Sequence, residues 1–248
     1  MPIEPPEAVL AFLKRAHDDM QPLSTQFRFD KEHPLHRNLV ALYGSIIELT
    51  GAIIHLVDRR LITGVSVLLR SILEAYVDIV NLTEKATYGY ALELGHMKEW
   101  LKILHEAKTG KNEDLAAIHE APTLDATIAD WTRKKLALEK KGYHALKVEK
   151  KFQLAGMEKE YRSQYNLLCC DAHNNLRALV DRHIEFGNEG FEVVYYKAYT
   201  LEDSVIHIGT NAELLIRASQ KIHEFFNSPA AEAIAVYRRE LDVLRGEA

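Results

Sequence analysis

Very little in this 248-residue sequence is sulfur, glycine or proline, and each scarcity removes a class of protein. The two cysteines, Cys169 and Cys170, are neighbours in a helical stretch, where a bridge would be strained, so a disulfide scaffold is excluded and reduced thiols are expected. Twelve glycines and seven prolines are too few for a low-complexity or disordered chain. Gly-rich phosphate loops, a strand-bound dinucleotide fingerprint and a serine nucleophile elbow are all missing, and those enzyme classes go with them. The most apolar stretch, Val65 to Val80, is interrupted by Arg70, Glu74 and Asp78, each costly in lipid, so no membrane partner is expected. The opening Met1-Pro2-Ile3-Glu4 carries no basic run ahead of an apolar one, and a cytoplasmic protein is expected. Basic excess is lacking too: a formal charge of -5 argues against a surface built throughout for nucleic acid.

What is present is helical. Hydrophobic residues at 47% and charged residues at 27% suit a globular α protein. Pro5-Pro6 opens a helix to about Met20, and Pro34 opens a long one through Leu61. Ile62-Thr63-Gly64 is short enough only for an antiparallel return into a helix from Val65 to Lys85, and another runs from Tyr88 to Lys108. Residues 110–155 are more polar and broken, with helical pieces at Glu113 to His119 and Leu124 to Lys141. A long helix is predicted over Met157 to Arg182. The period then changes, and residues 183–196 predict a small β-hairpin. Leu201 to Phe226 and Pro229 to Arg245 close the chain. The expectation is an all-α antiparallel bundle in one domain over residues 1–248, its core at about 34–183, with helices over 201–245 packed on it.

Function is sought where apolar helices keep polar stripes, because a helix packed on most sides should aim such a stripe at a partner or a cavity. Arg70, Glu74, Asp78 and Asn81 fall within roughly a quarter turn of the helix from Val65. Glu48 and His55 lie two turns apart on the preceding helix. On the helix from Met157, the face made by Tyr161, Tyr165, Leu168, Ala172, Leu176 and Leu179 is expected in the core. Asn166, Cys170, His173 and Arg177 edge it. The three stripes admit three alternatives: a buried ion-pair network that fixes helix register, a pocket, or stripes that simply face solvent. In the pocket Arg70 holds a small polar or anionic ligand by its fork, Glu74 or Glu48 acts as base, and His173 or His55 moves a proton. Whether the protein is an enzyme stays open, and no cofactor is assigned.

Weaker signals point elsewhere. Glu93-Leu94-Gly95-His96 matches one ligand pair of the dimetal carboxylate bundles, which need two, so no metal ligand is assigned and a dimetal centre is kept only as an alternative. His33-Pro34-Leu35-His36 opens a helix. The Lys-rich stretch 133–151, interleaved with Trp131 and Tyr143, admits an RNA partner but more simply forms a solvated face.

Two segments carry a family resemblance: Leu68-Leu69-Arg70-Ser71-Ile72-Leu73-Glu74-Ala75-Tyr76 and Tyr165-Asn166-Leu167-Leu168-Cys169-Cys170-Asp171-Ala172-His173. Over roughly Pro34 to His183 the chain resembles a family of all-helical bacterial proteins of unknown function, marked by Arg-Ser-x-x-Glu on one helix and Tyr-x-x-Leu-Ser-x-x-x-His on a later one. The resemblance implies that Arg70, Glu74, Tyr165 and His173 belong together, with Cys169 in place of the family's serine and Asn174 where many members have Gly or Pro. It supplies no activity. The spacing of Arg177 and His183 also resembles the Arg-x(4–6)-His mark of HEPN ribonucleases of toxin and phage-defence systems. It implies a metal-independent ribonuclease in which both residues meet their copies across a homodimer, although Ala178 stands where those enzymes carry a polar residue. Arg217 to His223 and Arg28 to His33 also fit the Arg-x(4–6)-His pattern.

Overall fold

The computed structural model describes residues 5–197 and 199–246. The reading of the first four residues lies outside them. The helices in chain order are α1 (Pro6–Ser24), α2 (Pro34–Asp58), α3 (Thr63–Glu84), α4 (Tyr88–Lys108), α5 (Ala116–His119), α6 (Leu124–Lys140), α7 (Val148–Leu154), α8 (Glu158–Glu160), α9 (Asn166–Ala172), α10 (Leu176–His183), α11 (Val205–Phe225) and α12 (Ala231–Leu244). A five-residue π-helical segment, Tyr161–Tyr165, joins α8 to α9. Strands β1 (Ile184–Gly187) and β2 (Gly190–Val193) pair antiparallel into the expected hairpin. The fold is all-α with that one small sheet among the described residues.

The chain divides into two compact units, one built from residues 1–83 with 152–248, the other from residues 84–151. In the first, α11 is the central element and packs against α1, α2 and α12. Its Ile208, Ala212, Leu215 and Ile222 are fully buried. They face Phe12, Leu13, Ala16 and Met20 of α1, whose three-and-four spacing makes one apolar stripe. The stripe of α2 is Leu39, Tyr43, Ile46, Thr50, Ile53 and Val57. Two buried hydrogen bonds fix its register on α11. Thr50 Oγ1 donates to Asn211 Oδ1 at 3.0 Å. Ser219 Oγ donates its proton to the Leu215 carbonyl, so in the 2.8 Å contact between Tyr43 Oη and Ser219 Oγ the tyrosine is the donor. By length and composition α2 could cross a membrane, a property it shares with core helices.

In the second unit α4 packs on α6 around Leu101, Leu104, Leu124 and Ile128, with Ile118 and Trp131 against them.

Three helix ends share one device. α2, α9 and α11 are each followed by a left-handed residue, Arg60 (φ 58°), Asn174 (φ 50°) and Asn227 (φ 48°). In each the next amide reaches back five residues, Leu61 to Leu56, Asn175 to Cys170 and Ser228 to His223. The second of these breaks the helix expected over Met157 to Arg182. Asn175 begins α10 by accepting from the Ala178 amide at 3.0 Å, so an Asn-Asn doublet ends one helix and caps the next. The break turns Leu176 and Leu179, expected in the core, out to solvent.

Candidate functional site

The Arg-Ser-x-x-Glu segment is helical because Leu69, Ile72, Leu73 and Tyr76 are buried around α3. Arg70 and Glu74, one turn apart, occupy the strip that is only half-buried. The Arg70 Nε donates to Glu74 Oε1 at 3.0 Å. From the distant segment Tyr165 closes the arrangement: its hydroxyl donates to the same Glu74 oxygen at 2.9 Å and accepts from the Arg70 Nη2 at 3.2 Å. The guanidinium also lies 5.4 Å from the Tyr165 ring centre. Arg70 Nη1 makes the fourth contact, 3.1 Å from His173 Nε2. A guanidinium can only donate, so Nε2 accepts and the His173 proton sits on Nδ1.

Each member is held in place. Tyr165 stacks on Tyr161 at 5.4 Å and packs 5.1 Å from the fully buried Phe152. The π-helical segment ends on Tyr165 itself, and such segments cost backbone geometry and gather at functional sites. The turn that carries His173 is clamped by Arg182, which donates to the Asp171 carbonyl (2.6 Å), the Asn174 side-chain oxygen (3.2 Å) and the Ala178 carbonyl (3.0 Å). Burial raises the Tyr165 phenol above its ordinary range, with its hydrogen bonds to Cys169 and Glu74 adding to it, so it stays protonated as a donor. Arg70 keeps its charge: burial opposes it, and Tyr165, Cys169 and Glu74 outweigh that.

The geometry thus joins Arg70, Glu74, Tyr165 and His173 and places the other expected residues apart from them. Glu48 and His55 are exposed, on the side of α2 away from its buried stripe. α2 is packed on one face only, so its polar residues had solvent to go to. Asp78 and Asn81 are buried farther along α3. The site is not enclosed either, since His173 is exposed and Arg70 and Glu74 are half-exposed. Residues missed in the sequence are Arg182 and His207. Cys169, which the resemblance had marked, is one turn past Tyr165 and acts on its hydroxyl. His207 of α11 comes to 3.2 Å from Ser66 Oγ, one turn before Arg70. Nothing in its local sequence marks it.

Of the Arg and His pairs, Arg177 is exposed and 3.6 Å from Asp181, while His183 Nδ1 donates to the Val194 carbonyl at 3.0 Å. Arg217 lies over the Tyr76 ring and His223 is fully buried, so that pair is structural. Arg28 precedes any helix of its own. Glu93 and His96 are both exposed, and no cluster of three or more metal-ligating side chains occurs among the described residues. The basic stretch is partly neutralised within its own helix: Arg133 and Lys134 pair with Asp130, and Lys135 with Glu139. Trp131 packs on the α4 and α6 core, and Tyr143 lies against Tyr90 with ring centres 4.6 Å apart.

A family model described as "Family of unknown function (DUF5677)" matches residues 36–191. No curated protein and no solved structure matches the chain. The match covers more than half of the sequence and both segments that build the Arg70 cluster, and the chain belongs to this family.

Proposed function

We propose that this member of the family binds a small polar or anionic molecule at the open side of the Arg70–Glu74–Tyr165–His173 cluster. One observation carries the reading. Side chains 95 and 103 residues away from Arg70 in sequence converge on its guanidinium, and the His173 end of the assembly faces solvent. A purely structural ion pair has no need of a clamped turn to present a histidine outward. Arg70 offers five N–H donors and spends three within the cluster, so donors remain for a carboxylate or phosphate oxygen. His173 Nδ1–H is a further donor. Glu74 is held by two donors, which orients it without filling all its lone pairs.

The test is titration of the full chain with inorganic phosphate and with a short dicarboxylate, read by calorimetry and by the His173 ring signals in NMR. Saturable binding is expected, weakened about tenfold or more in Arg70→Gln and in His173→Ala. Wild-type protein silent to both probes at millimolar concentration, or variants that bind equally well, would overturn the assignment.

A second reading is favoured by His183. Its Nδ1 donates to the Val194 carbonyl, so in the neutral ring Nε2 is the acceptor, the atom a general base uses. With the exposed Arg177 this supports a HEPN-like, metal-independent ribonuclease that takes RNA as its partner. Toxicity on overexpression that is lost in His183→Ala and kept in Glu74→Ala would select this reading over the first.

A further inference from the structure

The hairpin is the least supported element of its unit. The pairing register sets Phe186 opposite Phe191 and Ile184 opposite Val193, so these four side chains share one face, while Glu185 and Glu192 oppose each other on the other. Facing like charges destabilise the acidic side, and a two-stranded sheet is marginal by itself in water. The apolar side is nevertheless bare: Phe186 is 76% exposed, Phe191 63% and Val193 57%. The chain leaving β2 adds Tyr195 at 81% and Tyr196 at 87%, and α10, which leads into β1, adds Leu176 at 78%. A soluble chain rarely leaves a run of large side chains in this state unless something covers them.

We infer that the hairpin and the start of α10 form a two-fold interface with a second copy of this chain. Three arguments single out that occupant. The first is area. The four aromatic rings leave roughly 600 Å² uncovered at about 200 Å² per ring. Leu176 and Val193 bring the surface close to the ~800 Å² per partner that a stable interface of ordinary size buries. The second is symmetry. A two-fold axis lying parallel to the sheet sets this face against its own copy, apolar on apolar, in an isologous contact that leaves the acidic face outside. The third is charge: Glu185, Glu189 and Glu192 make the hairpin repel an anionic lipid surface.

Sedimentation of the full chain between about 1 and 100 µM tests this, with a dimer expected at the upper end. The double variant Phe186→Asp with Phe191→Asp should weaken association by about 100-fold or more, its helical circular dichroism unchanged. Because those substitutions sit in the strands, Tyr195→Ser with Tyr196→Ser is the independent check, expected to weaken association by about tenfold. Wild-type chain that stays monomeric at about 100 µM, or a dimer indifferent to both variants, overturns the inference, and so does a monomer that instead co-sediments with zwitterionic vesicles.

Discussion

At the scale of single residues, Arg70 sets the terms. It has a carboxylate, a phenol and an imidazole within hydrogen-bond reach of three different nitrogens, and a lysine ammonium, with its donors on one atom, lacks the planar fork that spans them. Removing it entirely leaves Glu74 beside water, not in a dry core, because the Glu74 side chain is 38% exposed. Arg70→Ala should therefore cost only about 1 kcal/mol in chemical denaturation, since a solvent-screened pair contributes little. A loss of about 3 to 5 kcal/mol would instead mark the pair as a buried structural bridge. Tyr165→Phe keeps the stacking on Tyr161 and removes the hydroxyl between Arg70 and Glu74. About 1 kcal/mol is expected, with the His173 ring signals shifting as Arg70 relaxes.

At the scale of elements, the decisive event is the turn between α9 and α10. Asn175 caps α10, and Asn175→Ala should lower stability by about 1 kcal/mol in urea unfolding and broaden the His173 resonances. Arg60, left-handed at the end of α2, gives the opposite sign: Arg60→Gly should raise stability by about 0.5 to 1 kcal/mol, because glycine adopts that conformation without a Cβ penalty. These turns explain what the sequence made legible. Long helices with apolar periodicity, such as α2, α3 and α4, and the Gly-flanked hairpin were visible because period and punctuation agree. The break at Asn174 was not, since apolar spacing runs on through Leu176 and Leu179 and predicts an unbroken core face. In the same way Arg70, Glu74, Tyr165 and His173 could be grouped, Arg70 and Glu74 by position on one face. Glu48 and His55 could not be sorted from them, because residue type does not reveal which side of a helix is packed. His207 acts through a tertiary neighbour that no local pattern encodes, and Arg182 through a turn that exists only because the helix breaks at Asn174.

At the scale of the whole molecule, stability should depend on acid through the core that α2 and α11 share. His223 is fully buried, its Nδ1 2.8 Å from Ser228 Oγ, its Nε2 without a partner, and its ring 4.5 Å from that of Phe27. Burial pulls its pKa down to about 4 from 6.5. Below about pH 6.5 the unfolded chain takes up a proton that the folded chain refuses, so stability is complete above that value and declines toward pH 4. The loss reaches about 3 kcal/mol at 1.36 kcal/mol per unit. His207, also lowered by burial, acts in the same direction. Urea melts at pH 7 and pH 5 should expose the slope, and His223→Gln should flatten it. An unchanged slope would place the acid sensitivity elsewhere.

The two halves of the Arg70 cluster come from chain segments between which all of residues 84–151 are spelled out. On the ribosome, Arg70 and Glu74 emerge early as an ordinary one-turn pair, and their hydroxyl and imidazole neighbours arrive only after the whole intervening unit has been translated. A product truncated between Glu74 and Tyr165 thus carries the Arg70–Glu74 pair without the hydroxyl and imidazole that meet it.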